Sequence, residues 1–120
     1  DDPSRDLVAE LTAFRDGILA VDGLGLVAAV LGPATDASVK SVYRERVVAP
    51  RRARLREILE RAASDGLFAE ASAEDRATAV AMAVGSWYAL ALAGETPADD
   101  WPERAARLVW QALGGAPPAE

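Results

Sequence analysis

Apolar side chains at Leu7, Leu11, Phe14 and Ile18 fall at i, i+4, i+7 and i+11. That spacing lays them along one stripe, which predicts an amphipathic first helix facing a core. Asp2 is a suitable N-cap with Pro3 at the first helical position, and Asp22-Gly23 supplies the stop. Residues 23–33 form a short apolar run bounded by glycines, expected to be a buried short helix. The stretch 42–66 then places Val42, Tyr43, Val47, Leu55, Ile58, Leu59 and Ala62 at helical spacing beneath a coat of Arg and Glu. Thr35 or Asp36 would cap this third helix, and Ser64-Asp65-Gly66 would end it. Pro50 stands in its middle, where proline removes a donor and clashes with the preceding turn at roughly 3 kcal/mol. The segment is therefore two helices broken near Ala49-Pro50, or one helix kinked there.

Downstream, Ser72-Ala73-Glu74-Asp75 resembles a capping box opening a fourth helix that runs to about Gly94. Few charges follow Arg76, and a helix apolar nearly all round is covered on both sides. In so small a domain the second cover is most simply another subunit. Residues 94–97 make a turn, Asp100 with Glu103 forms a second expected capping box, and the last helix runs from Trp101 to about Leu113. Ala105, Leu108, Val109 and Ala112 share one of its faces, whereas Trp110 falls beside Glu103 and Arg107, a position suited to an interface anchor. The expected architecture is all-α, a single five-helix domain over residues 1–115 with a loose Pro-rich tail at 116–120.

Composition supports this class. The chain has 120 residues, is 51% hydrophobic and is dominated by Ala, Leu and Val, without the β-branched and aromatic runs of strands. Its net charge of −6 makes it a poor phosphate binder by itself. The absence of Cys and His removes disulfides, thiol chemistry and the usual metal ligand and neutral-pH base, so no metal, no cofactor and no catalytic residue is expected. No apolar run is long enough to span a bilayer. A cytoplasmic protein without membrane contact is expected, and an opening at Asp1 suggests a piece of a longer chain.

Four patterns invite chemical readings. Gly23-x-Gly25-x-x-Ala28 formally matches a dinucleotide fingerprint, but a helix precedes it where the fold requires a strand. Arg44, Arg46, Arg51, Arg52, Arg54, Arg56 and Arg61 form a basic run, yet Glu45, Glu57 and Glu60 interleave it at spacings that pair within one solvated helix. The carboxylate pairs (Asp1-Asp2, Glu74-Asp75, Asp99-Asp100) all stand at helix starts, where the macrodipole accounts for them. Phe14, Tyr43, Trp87 and Tyr88 come from three helices, with Met82 and Ser86 near the last two; they either fill a core or line an apolar cavity with polar handles.

Several stretches in order resemble the C-terminal domain of TetR-type transcriptional regulators: the opening helix with Asp6-Leu7-Val8-Ala9-Glu10-Leu11, the step Tyr43-Arg44-Glu45-Arg46-Val47-Val48-Ala49-Pro50-Arg51-Arg52, Trp87-Tyr88-Ala89-Leu90 followed by Gly94-Glu95-Thr96-Pro97, and a closing helix with Leu108-Val109. The resemblance covers residues 6–114. It implies a homodimer whose last two helices form a four-helix bundle with their twofold mates, through Val80, Val84, Trp87, Ala91, Trp101, Arg104, Leu108 and Trp110. It implies an effector pocket among the earlier helices, for which Phe14, Ile18, Tyr43, Val47, Ile58, Met82, Ser86 and Tyr88 are the candidates, taking an unidentified small apolar or aromatic molecule. In the family, usually one of repressors, ligand shifts the separation of two DNA-binding heads. DNA would be bound only through an N-terminal helix-turn-helix domain absent from this sequence. The alternatives are a stand-alone helical homodimeric interaction module without ligand, and a cofactor-free enzyme.

Overall fold

The computed structural model describes residues 2–20, 32 and 36–115. Helix α1 spans Pro3–Ala20, α2 spans Ala37–Tyr43, a π-helical segment follows at Arg44–Val48, and then come α3 (Ala49–Ser64), α4 (Ala73–Leu92) and α5 (Trp101–Ala112). Among the described residues there is no strand, so the chain is all-helical as its composition predicts. The short helix expected at 23–33, the glycine fingerprint and the tail at 116–120 lie outside the described residues, apart from Gly32.

Capping explains most of the boundaries. The Asp2 carboxylate accepts from the Ser4 amide at 3.1 Å and the Ser4 hydroxyl at 2.9 Å, occupying donors at the start of α1. Asp36 does the same for α2, accepting from both Ser38 groups at 2.7 Å. The reciprocal box opening α4 is present, Ser72 and Asp75 each accepting from the other's amide at 3.0 Å. The second expected box is not formed. Asp100 makes no side-chain cap to α5; its carboxylate instead accepts from Arg104 Nη2 at 3.0 Å, a cation one turn away competing successfully for it. Helices α3, α4 and α5 end alike, with Gly66, Gly94 and Gly114 at φ of 95°, 82° and 85°. The two amides after each helix bond back to its last turn in a Schellman motif, for which the left-handed residue is most cheaply glycine.

Pro50 does not break the helix. The backbone stays in the α region at Tyr43, Arg44, Val48 and Ala49. The Ala49 amide reaches five residues back to the Arg44 carbonyl, which widens the turn. Pro50 thereby enters within the first turn of α3, where its missing N–H costs least. Residues 37–64 are one continuous rod in which a π turn absorbs the proline.

The core is centred on α1. Its stripe of Leu7, Leu11, Phe14 and Ile18 is buried. On one side it meets Leu55, Ile58, Leu59 and Ala62 of α3, and on the other Trp101, Ala105, Ala106, Val109 and Trp110 of α5. Helix α4 closes the bundle with Ala79, Val80, Ala83 and Trp87. By contrast, α2 and the π segment contain no buried residue, and Val39, Val42 and Val47 are substantially exposed.

A separate clasp holds the far end of α5. Phe68, at φ 60° in the left-handed region, packs edge-on to Trp110 with ring centroids 4.8 Å apart. The backbone of Gly115 passes so close that a Cβ there would fall 2.6 Å from Trp110 and 2.7 Å from Phe68. Glycine is required by this close approach.

Candidate functional site: an aromatic cluster beneath an arginine

The C-terminal half of α1 meets the C-terminal half of α4 and the start of α5 in a cluster of rings. Phe14 stands edge-on to Trp87 at 6.2 Å and to Tyr88 at 5.6 Å, and is tilted against Trp101 at 6.0 Å. Trp87 and Tyr88 are themselves perpendicular at 5.9 Å. Such edge-to-face contacts add about 0.5–1.5 kcal/mol each beyond the area they bury. The Trp101 indole donor is satisfied: Trp101 Nε1 donates to Ser86 Oγ at 3.0 Å, and Ser86 donates on to the Ala83 carbonyl at 2.6 Å.

The seam between α1 and α3 supplies the charge. Arg61 Nη2 donates to Asp6 at 2.8 Å, and two turns up Arg54 Nε donates to Glu10 at 3.2 Å. These cross-helix pairs replace the pairing within one helix expected from Glu45, Glu57 and Glu60; none of those three forms an ion pair among the described residues. The Arg61 Nε between the helices is buried without a partner. Arg51 continues the same ladder, but α1 offers it no acid. Its guanidinium carbon lies 5.1 Å above the centre of the Phe14 ring, and Nη2 lies 3.5 Å from where a Cβ on Gly17 would stand. Arg15, beside the cluster, is engaged with Asp16 at 3.2 Å and with the Asp99 carbonyl at 2.9 Å.

Tyr88 is half-buried, and burial pushes its phenol above the ordinary value of 10.0. The neighbouring Tyr43 phenol pushes the same way, and the Arg51 charge opposes both. At neutral pH the hydroxyl is therefore a donor. Tyr43 and Arg51 both act on Tyr88 because the rod that carries them passes over it.

Of the eight expected pocket residues, the structure brings Phe14, Tyr43, Ser86 and Tyr88 to this cluster. Ile18 and Ile58 are buried in the core. Val47 is 37% exposed on the π segment. Met82 is 65% exposed on another face of α4, at an open groove of about 330 Å³ also lined by Glu70, Asp75 and Leu113. Of the expected interface residues, Val80, Trp87, Trp101 and Trp110 are buried within the single chain, Val84 and Ala91 are half-buried, and Arg104 and Leu108 are exposed. Trp110 does not stand among charges, because the ring turns under α5 onto Phe68. The face that α4 leaves open carries Ala81, Met82, Gly85, Ala89 and Leu92, all exposed and none charged. Arg51 was legible only as one arginine of a run; its acid-free partner positions at Phe14 and Gly17 are the signal that singles it out.

No group of acids, among the described residues, is arranged to hold a metal ion. No described helix is long and apolar enough to cross a membrane. The rings of Phe14, Trp87 and Trp101 are buried, and the phenols of Tyr43 and Tyr88 and the Arg51 cation stand half-buried beside them. The described residues form an all-helical domain with an aromatic cluster beneath a long rod. A family model described as tetracyclin repressor-like, C-terminal domain, matches residues 1–109, and the chain belongs to that family. No curated protein and no solved structure gives a match.

Proposed function

We propose that this chain is the effector-sensing and dimerisation domain of a TetR-type repressor, with no enzymatic activity. Family membership over residues 1–109 carries the reading. The ring cluster at the junction of α1, α3, α4 and α5 supports it as the place where effector is felt, because Phe14, Tyr88 and Arg51 come from three helices whose relative positions a ligand would alter. The uncharged outer face of α4, continued by Leu108 and Arg104 on α5, is the proposed contact with a second copy. Operator DNA would be read by an N-terminal helix-turn-helix head outside these 120 residues. Effector would act by binding one arrangement of the dimer better than the other, since equal affinity shifts nothing.

The test is thermal unfolding with a library of small aromatic compounds, read by tryptophan fluorescence because Trp87 and Trp101 touch Phe14. A compound at a hundred times its Kd should stabilise the fold by about 2.7 kcal/mol. The alternative, a homodimeric interaction module without ligand, uses the same outer face of α4; it predicts dimers whose stability no small molecule changes.

A further inference from the structure

The ladder along α1 and α3 has an unmatched rung. Arg61 meets Asp6 and Arg54 meets Glu10, but Arg51 meets a phenylalanine ring and a glycine. A ring face supplies no lone pair, so among the described residues the Arg51 guanidinium has neither a carboxylate nor a hydrogen-bond acceptor. Arg44, Arg46, Arg52 and Arg56 are exposed and open to water, whereas Arg51 is half-buried. A partly desolvated guanidinium is costly unless paired, and its planar fork suits a carboxylate held by two N–H groups.

We propose that the effector is an aromatic carboxylate whose acid group pairs with Arg51 and whose ring packs against the half-buried Tyr88. The inference rests on the effector-sensing reading and narrows its ligand class, replacing an unspecified apolar or aromatic molecule by an anionic one. Three observations favour it. The Tyr88 ring is half-buried at the edge of the ring cluster, close enough to Arg51 for the two to interact, so one ligand can meet both. The Tyr88 phenol, its proton held by burial, is available as a donor to a carboxylate oxygen. Arg51 supplies the local cation that an anion needs against the chain's overall charge of −6.

The experiment is calorimetric titration of the intact chain with 1-naphthoate and with its uncharged isostere 1-naphthamide. Wild type should bind the acid at least tenfold more tightly than the amide. Arg51→Gln should erase that preference, Arg51→Lys should keep part of it, and the exposed neighbour Arg52→Gln should keep all of it. Equal binding of acid and amide by wild type, unchanged in Arg51→Gln, would overturn the anionic assignment and leave the sensing site standing. Binding of neither probe to wild type would overturn both. If Arg51→Gln does not fold, the acid-to-amide ratio of wild type decides alone.

Discussion

Tyr88 shows how a residue's setting becomes a measurable property of the fold. Its phenol is raised above 10.0 by burial, so the native state holds that proton more tightly than the unfolded chain does. The resulting stability is fully present below pH 10.0 and is lost as pH rises through the higher native value. Alkaline unfolding of Tyr88→Phe should therefore be less pH-dependent above pH 10 than that of wild type, in denaturant titrations at stepped pH. Asp36 works in the other direction: the Ser38 hydroxyl and then the Ser38 amide hold its carboxyl below 3.8, so its cap is lost only in acid. At Gly115 the constraint is space. Gly115→Ala places a methyl inside contact distance of two packed rings and should lower stability by about 1–3 kcal/mol, checked by urea denaturation.

At the scale of elements, the apolar stripe of α1, the α3 core positions, the box at Ser72 and the glycine stops were legible because each depends on spacing or on a turn residue within a few positions. Ser72→Ala should cost about 0.5–2 kcal/mol, seen as a lowered urea midpoint with an unchanged slope. The Asp100 box was misread because the same carboxylate can serve an amide or a nearby arginine, and only the folded geometry decides. The treatment of Pro50 was illegible for a related reason. Proline announces that one hydrogen bond is missing, not whether the chain breaks, kinks or widens in response. Restoring the donor with Pro50→Ala removes the reason for the π turn. The variant should be no less stable than wild type, and Tyr43 should lose its influence on Tyr88, seen as a lower Tyr88 pKa in spectrophotometric titration.

In the whole molecule, local spacing ceases to inform. Sequence placed Phe14, Tyr43 and Tyr88 in one site, yet could not tell that Met82 lies on another face of α4 or that Trp110 turns inward onto Phe68. Nor could it pair Arg54 with Glu10, 44 positions away, and so leave Arg51 over. The proposed dimer contact is tested on the exposed side of α4. A Cβ on Gly85 meets no atom within 4 Å, so Gly85→Arg costs the single chain nothing in packing. It should turn dimers into folded monomers in sedimentation velocity, as should Leu108→Asp, whose side chain is 55% exposed. Dimers that persist in both variants would move the contact elsewhere.

The π turn at Arg44–Val48 also sets the direction of everything that precedes it in the rod. Such a turn accommodates one residue more than α-helical geometry needs, which is the footprint a single-codon insertion leaves in a helix. Everything before it, including Tyr43 and the Asp36 cap, takes its direction from that extra residue, since each α-helical position turns the chain by about 100°. A relative lacking it would present a different side chain above Tyr88 while keeping α3 and its arginine ladder in place. Gain or loss of one codon in this stretch would thus re-aim the side chains before Arg44 and leave the core unaltered.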